Sequence, residues 1–156
     1  LTCSKMGIPV TSLYENGPDW YFDGADEVDP NNHMIKGRGG AMFKEKLIMS
    51  ASRHNYIIVD DSKLVDRLGS KFAVPVEVFP NSLMNVEAKL KMLGAYEILL
   101  RPATGKDGPV ISESGNLILD ARFDIIDKEM ELKIKCITGV IESGLFQNQQ
   151  VEIIVA

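Results

Sequence analysis

The run Tyr56-Ile57-Ile58-Val59, closed by Asp60 and Asp61, restricts the fold more than any other segment of the sequence. Continuous β-branched residues without alternation describe buried strands of a parallel sheet, and the carboxylates mark a polar carboxyl end. Ligands of open α/β sheets gather at such ends. No apolar run approaches the ~20 residues that a membrane span needs, so no membrane role is expected. The 156 residues, 45% hydrophobic and 25% charged, suffice for one ordinary domain or two small ones sharing a hinge. The same composition excludes collagen, disorder and a disulfide scaffold. Against 22 Asp and Glu stand 17 Lys and Arg, a net charge of −5 that leaves no basic face for nucleic acid. Cys3 and Cys136 lie far apart and form no CxxC pair, which points to a reduced, cytoplasmic chain. The opening LTCSKMGIPV has neither an initiator Met nor a signal-peptide pattern, and an N-terminally truncated chain is expected.

Two regions differ in grammar. In the first, strands are expected at 10–14, 20–23 and 56–60, with a helix over about 40–53. The second begins near Ala73 and reads strand 74–79, helix 82–93, strand 96–101, a short strand 110–112, strand 117–123, helix 127–137 and strand 140–146. Leu83, Val86, Leu90 and Leu93 keep one helical stripe, which Gly94 stops. Leu117, Leu119, Ala121 and Phe123 alternate on one face of their strand. Allowing one extra hairpin strand, the order is the β-α-β-β-α-β of a ferredoxin-like module. The apolar tail 151–155 is expected to return to the first sheet. The expected fold class is therefore α/β: a Rossmann-like, mostly parallel domain (1–71 plus 147–156) with an inserted ferredoxin-like α+β domain (72–146).

The densest polar cluster is Asp23-Gly24-Ala25-Asp26-Glu27-Val28-Asp29, directly after the strand WYF. A solvated acidic turn would explain it, and the spacing of a calcium loop is not met. Alternatively Asp23 and Asp26 face a crevice, with small Gly24 and Ala25 letting a ligand approach the backbone. Lys36-Gly37-Arg38-Gly39-Gly40 precedes a helix and is neither a P-loop nor a dinucleotide GxGxxG. Amide groups at a helix N-terminus beside Lys36 and Arg38 favour a small anion. On the helix, Glu45 falls among Ala41, Met42, Ile48 and Met49, while Lys46, Ser50 and Arg53 take the opposite, polar side. A carboxylate on an apolar face is costly unless paired or used, so Glu45 is either a buried ion-pair partner of Lys36 or Lys63, or a general base. Lys63, in DDSK, is a surface lysine or a second cation for a ligand. His33 and His54 have no ligand-spaced partners, and no metal is expected. No nucleophile elbow or Cys/His arrangement occurs.

Taken together, DGADEVDP, MIKGRGGAMFKEKL, YIIVDDSKLV and FAVPVEVFP, in that order, resemble the type A family of ribose-5-phosphate isomerases. The resemblance continues through GNLILDARF and GVIESGLF. It implies an aldose–ketose isomerase of the non-oxidative pentose phosphate branch, interconverting D-ribose 5-phosphate and D-ribulose 5-phosphate through an enediolate without metal or organic cofactor. By motif position Glu45 corresponds to the base moving a proton between C2 and C1, and Asp23 and Asp26 to residues holding sugar hydroxyls, with Asp26 a candidate for ring opening. Lys36 and the glycines after it, Gly37 and Gly39 with Arg38 between them, correspond to the substrate-binding and oxyanion-stabilising turn, and Lys63 to a substrate contact near the phosphate. The family is usually homo-oligomeric, so a dimer or tetramer is expected. Family members also begin with a Gly/Thr/Ser-rich phosphate loop that nothing here matches, so the alternative expectation is a non-catalytic sugar-phosphate binder or an inactive truncated isomerase.

Overall fold

A computed structural model of the chain describes residues 2–105 and 107–156. A single helical turn, α1 (Thr2–Lys5), precedes β1 (Trp20–Asp23), β2 (Glu27–Val28), β3 (Met34–Ile35), α2 (Met42–Ala51) and β4 (His54–Val59). There follow β5 (Val74–Val78), α3 (Leu83–Met92), β6 (Ala95–Leu100), β7 (Leu117–Phe123), α4 (Met130–Lys135), β8 (Val140–Ser143), β9 (Leu145–Phe146) and β10 (Glu152–Val155).

These strands form three sheets. The first is parallel, in the order β1-β4-β10, with Asp23 level with Ile57 and Val155 level with Val59. The tail thus pairs beside the YIIV strand, as its pattern suggested. The four-stranded antiparallel sheet runs β6-β7-β5-β8, the strand order of a ferredoxin-like module. Val74, Val76 and Val78, two apart along β5, share one face. They meet Val86 and Leu90 of α3, Met130 and Ile134 of α4, and Leu119, Ala121 and Phe123 of β7 in one apolar core. The expected fold class holds.

A third sheet, β2-β3-β9, lies outside the sequence expectation. Its strands are two residues long, below the length at which alternation becomes visible. It exists because the expected strand 140–146 is two strands. At Gly144 the chain leaves the four-stranded sheet for the small one. There the Gly144 N–H donates to Pro75 O at 2.7 Å, and its carbonyl accepts from Lys36 N–H at 2.9 Å. A Cβ at this position would stand 2.1 Å from Lys36 O and 2.6 Å from Pro75 Cγ, so only glycine fits between the two chains.

Other expectations are corrected. Residues 10–14 form no strand: the N–H groups of Glu15 and Asn16 both donate to Ser12 O, folding the segment into an exposed turn. Residues 110–112 contribute only an isolated bridge from Ile111 to Leu117. Helix α4 begins later than expected, because the Asp127 side chain captures Glu129 N–H at 2.8 Å and the Lys133 ammonium at 2.7 Å. Among the described residues, one face of the parallel strands is covered. Tyr21 and Ile57 pack with Met49 of α2 and with Phe146, whereas Trp20, Phe22 and Ile58 on the opposite face are exposed.

Lys46 also departs from its polar-side assignment. It is 8% exposed, and its ammonium donates to Glu131 Oε1 at 2.7 Å, Glu142 Oε1 at 3.0 Å and Leu145 O at 2.6 Å. The cause is that α2 lies between two layers, with Met49 on the parallel sheet and Lys46 facing β8 and α4. Burial pushes the Glu142 carboxyl up, but Lys46, the Ser143 N–H and Lys135 more than offset it, leaving Glu142 below its ordinary value.

Gly144→Ala is expected to destabilise the fold by about 3 kcal/mol or more, because backbone rather than a flexible side chain must move; urea unfolding measures it. A carboxyl with a lowered folded value stabilises above its unfolded value, about 4.3, and loses that contribution as pH falls through the folded one. Glu142→Gln should therefore destabilise the chain by about 1–3 kcal/mol at neutral pH, with the gap to the parent closing in acid.

Candidate active site

The polar residues singled out in the sequence converge at the carboxyl edge of β1. Asp23 ends that strand, and its Oδ1 accepts the Gly24 N–H at 2.8 Å. Its Oδ2 accepts the Tyr21 hydroxyl and, at 2.8 Å, the Lys36 ammonium. Lys36 directly follows β3 and is 2% exposed. Besides Asp23, its Nζ donates to Gly24 O and stands 3.3 Å from Glu45 Oε2. Glu45 lies in the first turn of α2 and retains 21% side-chain exposure. Glu45 is thus the ion-pair partner of Lys36, and it opens onto a cavity.

That cavity, of about 220 Å³, is lined by Asp23, Gly24, Ala25, Asp26, Lys36, Gly37, Arg38, Gly39 and Glu45. Lys63 is not among its lining residues; it ends a short 3-10 turn after β4, on the same edge of the parallel sheet. The glycine turn is closed by Gly40 N–H donating to Gly37 O at 2.9 Å. Gly37 has φ +91°, and a Cβ there would stand 2.6 Å from Met42 Cβ, so the turn packs directly on the start of α2. Asp26 Oδ2 accepts the Arg38 N–H at 3.1 Å, and the Arg38 guanidinium rests over the Phe72 ring, 5.0 Å from its centre.

Sequence reasoning missed three supports of this site. Tyr21 steadies Asp23 from within β1. Arg101 donates to Gly37 O at 3.1 Å and to Arg38 O at 2.9 Å, while Asp120 holds its guanidinium with two hydrogen bonds. The available signals were small: Arg101 follows an apolar strand, and Asp120 interrupts LIL-ARF. Among the described residues no three His, Cys, Asp or Glu side chains converge as a metal site, and His33 pairs with Asp29 at 3.3 Å.

The electrostatics separate the two carboxylates. Burial pushes Glu45 above the usual carboxylate range; Lys36 offsets part of this, and Asp23 adds to it. Burial also acts on Asp23, but hydrogen bonds from Lys36 and Tyr21 outweigh it and hold Asp23 below its ordinary value. Burial, then the bond to Asp23, raises the Tyr21 phenol, so it remains a donor. One carboxylate is fixed as an anion and the other is poised to exchange a proton, an arrangement that supports acid–base chemistry.

Fold and site together define an α/β protein that brings a poised carboxylate and a buried ammonium to the carboxyl edge of a parallel sheet. The sequence profile of the ribose 5-phosphate isomerase A (phosphoriboisomerase A) family matches residues 1–156, and the chain belongs to that family. It is 47% identical over 145 residues to ribose-5-phosphate isomerase A of Methanothermobacter thermautotrophicus, covering 92% of this chain and 63% of the relative. The corresponding figures for the Thermosynechococcus vestitus protein are 48% over 147 residues, 92% and 62%. This chain therefore spans less than two thirds of the length of these curated relatives. The solved structure of ribose 5-phosphate isomerase A from Methanocaldococcus jannaschii superposes with a TM-score of 0.92 at 39% identity, covering 98% of this chain and 68% of that one. A D-ribose-5-phosphate isomerase in complex with phospho-erythronic acid gives 0.92 at 42%, covering 97% and 67%.

Carboxyl titration by NMR is expected to place Glu45 above about 4.3 and Asp23 below about 3.9. Lys36→Met removes a positive partner from both, so both midpoints should rise; an unmoved Glu45 would contradict the pairing.

Proposed function

We propose that this chain carries the proton-transfer chemistry of an aldose–ketose isomerase acting on D-ribose 5-phosphate and D-ribulose 5-phosphate. The observation that carries the reading is Glu45: a desolvated carboxylate, raised in pKa, opening onto a small polar cavity 3.3 Å from a buried ammonium. With the sugar in its open form, the Glu45 carboxylate takes the proton from C2 of the aldose. The electron pair left behind moves into a C1–C2 double bond, and the carbonyl oxygen becomes an enediolate oxyanion. The hydroxyl proton on O2 passes to O1, and Glu45 returns its proton to C1 as the C2–O2 bond becomes the carbonyl, giving the ketose. Lys36 neutralises the oxyanion, and Asp23 keeps that ammonium aimed. A proton α to a carbonyl is weakly acidic, so a base raised above its ordinary value and a fixed cation supply what the step needs.

Asp26 serves a sugar hydroxyl and ring opening from the cavity rim. Gly24, Ala25 and the turn Gly37-Arg38-Gly39 give close backbone approach, and Lys63 serves the phosphate end from the neighbouring strand terminus. The sugar-acid phosphate held by the 42%-identical isomerase supports an anionic sugar ligand for this fold. The pairing of β10 with β4 supports a division into a catalytic unit, 1–71 with 147–156, and an inserted unit, 72–146. A cytoplasmic homo-oligomer, dimer or tetramer, completes the proposal. No helix among the described residues is long and apolar enough to cross a membrane.

The test is ribose 5-phosphate turnover by the chain beside Glu45→Gln. The variant should lose about 10²- to 10⁴-fold in kcat while still binding a sugar-acid phosphate and melting no lower than the parent. Activity should fall in acid through an apparent pKa above the ordinary glutamate value. A fully active variant removes Glu45 as base; a parent that binds without turning over favours the binding-only reading.

A further inference from the structure

Two lysines address one short segment. Lys36 N–H donates to Gly144 O at 2.9 Å, and its ammonium lies 5.7 Å from the centre of the Phe146 ring. Lys46 donates to Leu145 O at 2.6 Å, and its ammonium lies 4.6 Å from the same ring. Lys46 directly follows Glu45 on α2, so residues 144–146 gauge the distance between the two ends of the Lys36–Glu45 pair. Beyond Leu145, Lys46 is held by Glu131 of α4 and Glu142 of β8. Those partners are themselves fixed: Glu131 Oε2 accepts Gln147 N–H at 2.7 Å, and Glu142 Oε2 accepts the Lys135 ammonium at 2.9 Å.

A buried ion network of this kind contributes little net stability over an apolar replacement of the same shape. Its geometry, in contrast, is directional. Three hydrogen bonds from one ammonium to α4, β8 and β9 fix both the rotation and the axial position of α2. Ordinary apolar packing, which is non-directional, would leave α2 freer to slide.

We propose that Lys46 is a positioning residue for the isomerisation: it sets the approach of Glu45 to Lys36 through the Gly144–Phe146 segment. This rests on the isomerase reading above. Lys46 is not among the residues lining the cavity and acts through α2 and the Gly144–Phe146 segment. A displacement of about 1 Å in a reacting group can cost on the order of 10²-fold in rate, so a register device here controls kcat.

Lys46→Met alone strands two buried carboxylates and is strongly destabilising. Lys46→Met with Glu142→Gln keeps the network charge-balanced, leaving Glu131 and Lys135. In this double variant kcat is expected to fall about tenfold or more with KM within about threefold. Placed in the Glu45→Gln background, the same pair of changes should alter the residual rate less than about twofold, since the group being positioned is gone. An undiminished kcat in the folded double variant, or an equal loss in the Glu45→Gln background, overturns the proposal. A second readout is independent of turnover. The rise of the Glu45 midpoint on Lys36→Met measures their contact, and it should shrink in the double variant, where the facing groups Asp23 and Asp26 are unaltered. If the parent shows no isomerase activity, the functional reading falls, while a preserved Lys36 effect in the double variant rejects the positioning role by itself.

Discussion

A lysine ammonium with 2% of the residue exposed cannot remain charged without partners, and the neighbourhood of Lys36 is arranged around that requirement. Asp23 comes from the end of the parallel strand β1, the Gly24 carbonyl from the turn after it, and Glu45 from α2. The Lys36 main chain is meanwhile clasped at Gly144, where the chain crosses from the four-stranded sheet to the small one. The three sheets therefore meet at one residue. The absence of a side chain at position 144 is as much a part of the site as the carboxylates.

Around this cation the two acids respond differently because their supports differ. Asp23 receives hydrogen bonds from a phenol, an amide and the ammonium, all of which favour its charged form. Glu45 has only the 3.3 Å ion pair against its burial. The helix carrying Glu45 is fixed on its other side by Lys46. Glu45 is thus loosely held at its carboxylate and firmly held at its backbone, a combination that suits the proton transfer proposed for it.

Much of this was legible in the sequence, for identifiable reasons. The ferredoxin-like order followed from the stripe Leu83, Val86, Leu90 and from the alternation along β7, since packing imposes those periods. Eight of the cavity's nine lining residues stand in the contiguous segments DGAD and KGRG, and Glu45 stood out as a charge on an apolar helix face. What escaped notice depends on pairs distant in sequence. Lys46 reads as a surface lysine until Glu131 and Glu142 are brought to it from 85 and 96 residues away. Arg101 reads as a strand end until it reaches under the glycine turn. The strand–glycine–strand break at 144 is invisible to any pattern of hydrophobicity, because both halves of VIESGLF are apolar enough to be one strand.

The cavity itself carries three carboxylates, Asp23, Asp26 and Glu45, against the two cations Lys36 and Arg38. The Arg38 guanidinium is drawn aside onto Phe72, so the floor of the cavity is a weakly negative surface with one buried positive point. For a sugar phosphate such a floor sorts the two ends of the molecule. A phosphate dianion would be repelled from it, while hydroxyls would find acceptors there and the proposed oxyanion would find the ammonium. On the function proposed above, a sugar phosphate would be orientated by exclusion as well as by attraction, its charged end outward and its hydroxyl-bearing carbons beside Glu45.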